Sequence, residues 1–162
     1  MKCTNSKNAI ATFNGPKIYG NIRFHQCNNI SDTLIKFNLF GFENNKKHAI
    51  HIHEYGDLRK GCESLGSHWN PSNTTHGSLY HNMPTHAGDL INNLKSDNTG
   101  KFNFKYYDIR VKLFGSQNIY GRSIVIHDGV DDLGLGGNLE SLKTGNAGGR
   151  IACAIIGISS EF

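Results

Sequence analysis

The sequence predicts an all-β, antiparallel fold built from about eight short strands. Apolar and polar residues alternate with a period of two in separate segments spread along the 162-residue chain. Such alternation is typical of strands with one buried and one solvated face, as antiparallel sheets have. No stretch shows long helical periodicity, which favours the all-β class further.

The strands are expected, in chain order, at residues 9–13, 18–25, 34–40, 48–55, 101–106, 111–114, 122–127 and 151–158. The third shows the pattern clearly, because Ile35, Phe37 and Leu39 alternate with Lys36 and Asn38. The fifth has aromatic residues at every second position in the same way. Each strand therefore offers one apolar face to a shared core.

Two long segments, residues 56–98 and 128–149, fit no strand, and the second is rich in glycine. Loops of this length in a compact domain are usually functional or disordered. There is no internal repeat and no sign of a domain boundary, so residues 1–162 are expected to form a single domain.

Composition excludes several classes of function. The net charge of +4 comes from scattered lysine and arginine residues, which indicates a solvated surface and no nucleic-acid partner. No run approaches the roughly 18 apolar residues of a membrane span, and the first six residues lack a signal-peptide core. We expect a cytoplasmic protein with no membrane partner, in the host cytoplasm or the virion if the gene is viral.

The histidine pattern points to metal. His51 and His53 are two apart in a predicted strand, so both imidazoles leave the same face. A single His-x-His pair often occurs by chance, but the glycine- and asparagine-rich loop that follows holds further candidate ligands at His68, His76, His86 and Asp89, and another lies at His127. Nitrogen and carboxylate donors suit zinc or copper, and three histidines with one aspartate suit tetrahedral zinc.

Several ordered blocks, at residues 48–57, 121–127, 131–134 and 145–153, identify a family: the chain closely resembles copper/zinc superoxide dismutase from about residue 8 to 159. The resemblance implies an eight-stranded Greek-key β-sandwich or barrel, immunoglobulin-like, with two long functional loops. The family is itself a standard example of this sandwich and of electrostatic steering, so neither property is deduced from this sequence.

The resemblance also implies the cofactors, copper and zinc, and their ligands. Copper would be held by His51, His53, His68 and His127, and zinc by His68, His76, His86 and Asp89, with His68 shared between them. Asp131 would accept hydrogen bonds from two of the ligands, His51 and His76, which fixes their orientation. His48 matches a structural histidine of the family, and His81 matches no ligand.

Further implied roles concern the substrate channel and the cysteines. Arg150 would line the channel near copper, with Thr144 on the opposite wall and Glu140 and Lys143 as charged members of the guiding loop.

Spacing alone assigns no pairing to the four cysteines, and a reducing cytosol argues against disulfides. The resemblance implies a disulfide between Cys62 and Cys153 and leaves Cys3 and Cys27 as unpaired thiols.

The implied activity is dismutation of superoxide to dioxygen and hydrogen peroxide by a redox-cycling copper. The implied partners are superoxide, a second copy in a homodimer and a copper chaperone, with Tyr55 and Tyr120 in the dimer contact. Two alternatives stand beside this reading. A zinc-only homologue that acts as a decoy should lack copper ligands, and a copper-delivery domain should carry an added Cys-x-x-Cys module.

Three positions depart from the family pattern. Leu139 precedes Glu140 where many members have two adjacent acidic residues, which changes the charge and the shape of the guiding loop. Ile91 stands in place of a usual glycine after the zinc aspartate, and Trp69 in place of a usual phenylalanine. The expected consequences are altered packing beside Asp89 and a tolerable aromatic exchange.

Overall fold

The computed structural model describes residue 3 and residues 5–81 and 83–162. The strands are β1 (Lys7–Asn14), β2 (Tyr19–Gln26), β3 (Thr33–Phe40), β4 (Lys47–His53), β5 (Arg59–Cys62), β6 (Asn93–Lys95), β7 (Lys101–Asp108), β8 (Ser123–His127) and β9 (Arg150–Ser159). The helical elements are single turns: three 3-10 turns at Glu63–Leu65, Leu79–His81 and Ala87–Asp89, and the α-helical turn α1 (Ser141–Thr144).

Eight of these strands form one antiparallel sheet in the order β6-β4-β8-β9-β1-β2-β3-β7. In a flat sheet the two edge strands, β6 and β7, would lie about 34 Å apart. The chain connects them through residues 96–100, which can span only about 20 Å. The sheet must therefore curl into a nearly closed barrel, and the crossover from β3 to β4 gives it the predicted Greek-key connectivity.

The barrel interior is filled by the alternate apolar residues of the strands. Ile35, Phe37 and Leu39 of β3 are buried, whereas the intervening Lys36 and Asn38 are exposed, as the alternation predicts. Ile50 and Ile52 of β4 belong to the same core. Because these isoleucines point inward, the histidines between and after them point to the outer face of the barrel wall.

One predicted strand is wrong. Residues 111–114 are irregular, although Val111 and Leu113 are fully buried and reproduce the spacing of a strand. Their backbone bonds to side chains instead: the Thr33 hydroxyl donates to the Val111 carbonyl at 2.6 Å, and Leu113 N–H donates to Gln26 Oε1 at 2.7 Å. The eighth strand of the sheet is β6, which pairs with β4 and lies within the segment expected to be a loop.

The expectation that Cys3 and Cys27 are unpaired thiols is also wrong. The structure joins them in a disulfide, with Cα atoms 5.2 Å apart. The antiparallel pairing of β1 and β2 places Lys7 opposite Gln26, so the chain that precedes β1 and Cys27, which directly follows β2, are at the same end of the pair. The second disulfide joins Cys62 to Cys153 across a sequence separation of 91 residues, the pair that the resemblance implies.

The two long loops run from the end of β4 to β6 and from the end of β8 to β9, and together they cover one outer face of the barrel. Ile91, in the first loop, packs against the core, and its neighbours Leu90 and Asn92 both adopt positive φ angles, 49° and 59°. Trp69 also packs on the core and lies under the Arg122 guanidinium.

In the described part of the chain, no helix has the length and apolar character to cross a bilayer.

Candidate metal centre

A cluster of four histidines forms where β4, β8 and the first loop meet. His51 and His53 come from β4, His127 ends β8, and His68 is brought alongside by an isolated bridge to His53. One ring nitrogen from each residue lies within 4.8 Å of the corresponding atom of the others, and all four residues are buried. We refer to these four histidines as the strand cluster.

The converging atoms of the strand cluster are His51 Nδ1, His53 Nε2, His68 Nε2 and His127 Nε2. All four are buried and have no hydrogen-bond partner among the described residues. A buried polar atom without a partner costs about 1–3 kcal/mol, so four at one point make an unfavourable arrangement unless a cation completes it. An all-imidazole donor set of this type suits copper.

The histidines of the strand cluster are held in the neutral form that binds metal. Burial, reinforced by the neighbouring His68, lowers the pKa of His51 to about 3. Burial likewise lowers the pKa of His127 to about 4 and that of His53 well below its ordinary value. Neutral imidazoles keep a lone pair on the free nitrogen, so the site is ready for a cation at neutral pH.

The second ring nitrogen of each strand histidine has a partner that fixes its orientation. His53 Nδ1 donates to the Gly66 carbonyl at 3.0 Å, and His127 Nδ1 to the Gly148 carbonyl at 3.2 Å. Both acceptors lie in the long loops, one in each loop. Carbonyl partners of this kind select the tautomer that leaves the other nitrogen free for metal.

A second cluster, the loop cluster, consists of His68, His76, His86 and Asp89. The Nδ1 atoms of the three histidines lie 3.1, 2.9 and 3.0 Å from the same carboxylate oxygen, Asp89 Oδ1. Ligands about 2.0 Å from a tetrahedral zinc ion would be about 3.3 Å from one another, which is close to the three nitrogen–oxygen distances of this cluster. The donor set, three nitrogens and one oxygen, also suits zinc.

Asp89 is fully buried, and its two oxygens have separate tasks. Oδ1 faces the three histidines, while Oδ2 accepts hydrogen bonds from the His86 N–H at 2.7 Å, the Thr85 hydroxyl at 2.8 Å and the Gly77 N–H at 3.2 Å. Burial raises the pKa of Asp89, but hydrogen bonds from the histidines outweigh it and hold the pKa far below its usual value. The carboxylate is therefore ionised and aimed at the cluster centre.

His68 belongs to both clusters. Its Nδ1 lies in the loop cluster, and its Nε2 is one of the unpartnered atoms of the strand cluster. One imidazole ring thus has a ligand atom in each site, and its ring centroid is only 3.9 Å from that of His51. The two candidate metal positions are consequently the two sides of a single ring.

Asp131 connects the two clusters a second time. Its Oδ2 accepts from His51 Nε2 at 2.7 Å and its Oδ1 from His76 Nε2 at 2.8 Å, the contacts that the resemblance implies. Although burial lowers the pKa of His76, the carboxylates of Asp131 and Asp89 raise it to about 9. Because Asp131 is already bonded to both rings, the His51, His76 and Asp131 group is a linking network and not a third metal site.

Sequence reasoning missed the residues that hold Asp131 in place. Asn92, which is buried, donates from Nδ2 to Asp131 Oδ2 at 3.0 Å and to the Gly77 carbonyl at 2.7 Å. The Asn93 side chain forms two hydrogen bonds with the Asp131 backbone: it donates to the carbonyl at 2.9 Å and accepts from the N–H at 2.8 Å. Asparagine is abundant in this chain, so these two positions carry no signal in the sequence.

A pocket of about 450 Å³ opens onto the strand cluster, and three of its histidines line it. Arg150, Thr144 and Glu140 line the same pocket, whereas Lys143 lines an adjoining depression beside the loop cluster. The Arg150 guanidinium donates to the Cys62 carbonyl at 2.6 Å and to the Gly66 carbonyl at 2.7 Å. A permanently charged group is thus fixed in the pocket wall, with further N–H donors free for an anion.

The disulfide between Cys62 and Cys153 positions Arg150 indirectly. Cys62 offers one of the two carbonyls that hold the guanidinium, and Cys153 lies on β9, the strand that Arg150 begins. The bridge thereby ties the first loop to the strand that carries the arginine. Closing a chain segment of this length stabilises a fold by about 4–5 kcal/mol in the chain-entropy account.

Four remaining residues lie away from the clusters or serve the fold. His81 is exposed, and Tyr55 is 57% exposed. Tyr120 is partly buried, and its hydroxyl donates to the Asn8 carbonyl at 3.1 Å. His48, as the resemblance implies, is structural: its Nδ1 pairs with the carbonyl of His127 at 2.8 Å and so fixes the end of β8.

The metal-free protein is expected to lose stability as the pH falls from 6.5 to 4. In that range the unfolded chain protonates His51 and His127, whose pKa values in the fold are about 3 and about 4, so unfolding takes up protons. His76 has its pKa raised to about 9, so its stabilising contribution is already complete below pH 6.5 and does not offset the loss.

Denaturant unfolding of the chelator-treated protein at several pH values measures this effect. Each histidine with a lowered pKa contributes a slope of up to about 1.4 kcal/mol per pH unit. A His127→Leu variant should show a smaller slope than the parent protein. A free energy of unfolding that is constant between pH 6.5 and 4 would contradict the assignment of these rings as buried and neutral.

Asp131→Asn is expected to weaken zinc binding by about 10- to 100-fold and copper binding less. An amide has only one acceptor oxygen, so either His51 or His76 would face an N–H₂ group. His76 lies on the long loop and should suffer more than His51, which is held in the β4 ladder.

Titration with a graded chelator gives both metal affinities of the Asp131→Asn variant. Asp132→Asn is the matched control, because that neighbouring carboxylate accepts from Ser141 and Asn146 and contacts no histidine. If zinc retention is the same in Asp131→Asn, Asp132→Asn and the parent, Asp131 does not link the two sites.

Comparison with known proteins places this centre in a family. The model of the copper/zinc superoxide dismutase family matches residues 18–156. The chain is 46% identical over 161 residues to the copper-zinc superoxide dismutase of Paramecium bursaria Chlorella virus 1, covering 99% of this chain and 83% of that protein. It is 44% identical over 152 residues to the Humicola lutea enzyme and 45% identical over 157 residues to that of Talaromyces marneffei, with 93% and 94% of this chain and 98% of each relative covered. The chain belongs to the copper/zinc superoxide dismutase family.

Proposed function

We propose that the protein is an oxidoreductase that dismutates superoxide, with copper held by the strand cluster and zinc by the loop cluster. The observation that carries the proposal is the set of four buried, unpartnered imidazole nitrogens beside a converging set of three nitrogens and one carboxylate oxygen. His68, which has one ring nitrogen in each set, supports a paired-metal centre. Family membership supports the reaction.

Copper, when bound by the strand cluster, would supply the one-electron redox chemistry that dismutation needs. Overall, two superoxide ions and two protons become one dioxygen and one hydrogen peroxide. The chain's own residues attract the anion, hold it and deliver a proton. Arg150 lines the pocket beside His53, His68 and His127, so a small anion paired with the guanidinium lies next to the strand cluster.

His68 is the residue suited to carry a proton. Its Nε2 faces the strand cluster and could take up a proton whenever it is released from copper, while its Nδ1 stays directed at the loop cluster. His68 Nδ1 would help to hold zinc, which does no redox chemistry and would tune the basicity of the other His68 nitrogen. The loop cluster is thus a support for a proton-carrying ring.

The guiding residues act on the approach of substrate. Thr144 and Glu140 line the same pocket as Arg150. The Thr144 hydroxyl donates to the Glu140 carbonyl at 3.1 Å, so its role is local to this part of the loop. Lys143, beside the adjoining depression, adds positive charge near the entrance. We assign these residues to shaping and charging the channel, with Arg150 as the group that meets the anion.

We also propose that residues 1–162 act as a single domain in the cytoplasm and pair as a homodimer that receives copper from a chaperone. The exposed ring of Tyr55 supports an interface at that face. Sedimentation equilibrium of the parent and of Tyr55→Glu tests the pairing. The parent should have twice the monomer mass and the variant should dissociate, whereas a monomeric parent would refute the dimer.

Metal analysis combined with a superoxide-consumption assay tests the function. Activity should follow copper content, disappear when copper is removed, and return with copper but not with zinc alone. A protein that binds zinc only, with no activity at any copper loading, would instead be the zinc-only decoy. The complete strand cluster, with His51, His53, His68 and His127 all present, argues against that alternative.

A further inference from the structure

The segment that carries two loop-cluster ligands is attached to the barrel through one arginine. Arg110 lies two residues after the end of β7, and its side chain is only 13% exposed. Its Nη1 donates to the His86 carbonyl at 2.9 Å, and its Nη2 to the Leu90 carbonyl at 3.1 Å. The guanidinium therefore grips both ends of the Ala87–Asp89 turn, which presents His86 and Asp89 to the cluster.

Arg110 is itself held rigidly by the barrel. The fully buried Asp108, the last residue of β7, pairs with it at 3.1 Å between Nη2 and Oδ2. The Tyr106 hydroxyl donates to the same carboxylate at 3.0 Å, and Asp108 faces Thr33 in the ladder between β3 and β7. The position of the loop is therefore fixed, through Arg110, relative to the edge of the sheet.

A hydroxyl relay extends this attachment to the ligand carboxylate. Arg110 Nη1 donates to the Thr85 hydroxyl at 2.9 Å, and that hydroxyl donates to Asp89 Oδ2 at 2.8 Å. Since the N–H groups of Gly77 and His86 also donate to Oδ2, this oxygen is fully occupied. The result is that Oδ1, and only Oδ1, is left for the cluster centre.

We propose that Arg110, anchored by Asp108 and acting through Thr85 and the His86 carbonyl, is a positioning residue that sets the geometry of the loop cluster for zinc. The inference rests on the proposed function in that it takes zinc to be the ion of this cluster. A planar fork with five donors can serve several acceptors at fixed angles, whereas a lysine ammonium in its place would keep the charge but lose that geometry.

The chain contains a matched comparison. Asp57 and Arg59 have the same Asp-x-Arg spacing and form an ion pair at 2.8 Å, but the Arg59 side chain is 87% exposed and donates only to Asp57. Surface ion pairs of this kind contribute little to the free energy of unfolding. Arg59→Met is therefore the control for loss of an arginine that bonds to no metal-binding segment.

Two variants separate positioning from folding. Thr85→Val removes the relay hydroxyl at nearly constant volume and leaves the pair of Asp108 and Arg110 intact. Arg110→Lys keeps a cation beside the buried Asp108, so the metal-free protein should stay folded. Zinc affinity is measured by competition with a chromophoric chelator, and ligand geometry by the visible spectrum of Co²⁺ bound in place of zinc.

We expect both variants to lose zinc affinity by about 10- to 100-fold, with an altered Co²⁺ spectrum and a smaller change in copper affinity. Arg59→Met should match the parent in all three measurements. The inference is overturned if Thr85→Val and Arg110→Lys keep the parental zinc affinity and spectrum. It is also overturned if affinity falls only in step with the stability of the metal-free protein while the spectrum is unchanged, since Arg110 would then serve folding alone.

Failure of the proposed function would look different. In that case the parent protein itself would bind no zinc or would bind Co²⁺ without a tetrahedral spectrum, and the inference would fail with it. If the parent binds zinc and the variants match it, only the role of Arg110 is lost.

Discussion

Replacing His127 with alanine is expected to abolish dismutation while leaving the fold and the zinc content close to those of the parent. The ring of His127 belongs to the strand cluster alone, and its other nitrogen bonds only to the Gly148 carbonyl. Loss of an outer partner of a metal ligand already costs about 10- to 100-fold in affinity, so loss of a ligand should reduce activity by at least about 100-fold.

Copper and zinc contents of the His127→Ala variant, measured with its turnover, check this prediction. The control is His81→Ala, which removes an exposed histidine of the first loop that belongs to neither cluster. We expect copper to be lost selectively in His127→Ala and both metals to be retained in His81→Ala. Parental turnover in the reconstituted His127→Ala protein would refute the assignment of His127 to copper.

The second large effect is expected for Arg150→Glu, which should slow superoxide capture roughly 10-fold or more. The substitution reverses the charge in the pocket wall without removing a ligand from either cluster. Because an exposed field is screened by salt, the rate of the parent should fall as ionic strength rises, whereas that of the variant should rise or stay level. Steering of this kind is a known property of the family.

Rate constants across a series of salt concentrations, with metal contents measured alongside, test the role of Arg150. Arg23→Glu changes the net charge by the same amount on an exposed strand position outside the pocket, so it serves as the matched control. Arg150→Lys, which keeps the charge but not the fork held by two carbonyls, should give an intermediate rate. Equal rates and equal salt dependence in Arg150→Glu and the parent would remove the argument from charge.

Alternation was a sound guide to the fold wherever a strand was long enough to show it. Strand β3 has eight residues, and its buried and exposed positions match the pattern. Strand β6 has three residues, too few to establish a period, so the sequence pattern predicts a loop there. At residues 111–114 the pattern predicts a strand that the structure does not contain. Val111 and Leu113 fill the core from an irregular backbone, and the period of two alone cannot distinguish such a segment from a strand.

The sequence likewise predicts only part of the candidate site. The spacing of His51 and His53 indicates a pair on one face, because strand geometry fixes where both rings point. His127 ends another strand, β8, and the other ligands lie on the first long loop, so their convergence depends on how the strands pair and how the loop closes over the barrel, which spacing does not encode. The donor types alone indicate a zinc site, but the sharing of His68 between two metals is implied only by the family resemblance.

Other features depend on long-range register or on ordinary residue types. The disulfide between Cys3 and Cys27 follows from the pairing of β1 with β2, and the resemblance misled here because it assigned these thiols no partner. Asn92, which supports Asp131, and Arg110, which holds the loop, are polar residues of common types. Their importance arises from burial and hydrogen bonding, and these are visible only in three dimensions.

The central claim is that the paired clusters make a catalyst and not merely a copper-binding protein. Pulse radiolysis of the copper- and zinc-loaded protein under a large excess of superoxide tests it most directly. We expect decay that is first order in superoxide, at a rate proportional to protein-bound copper, with each protein consuming many superoxide ions without loss of rate. Consumption of no more than one superoxide ion per copper, or decay no faster than with the metal-free protein, would contradict it.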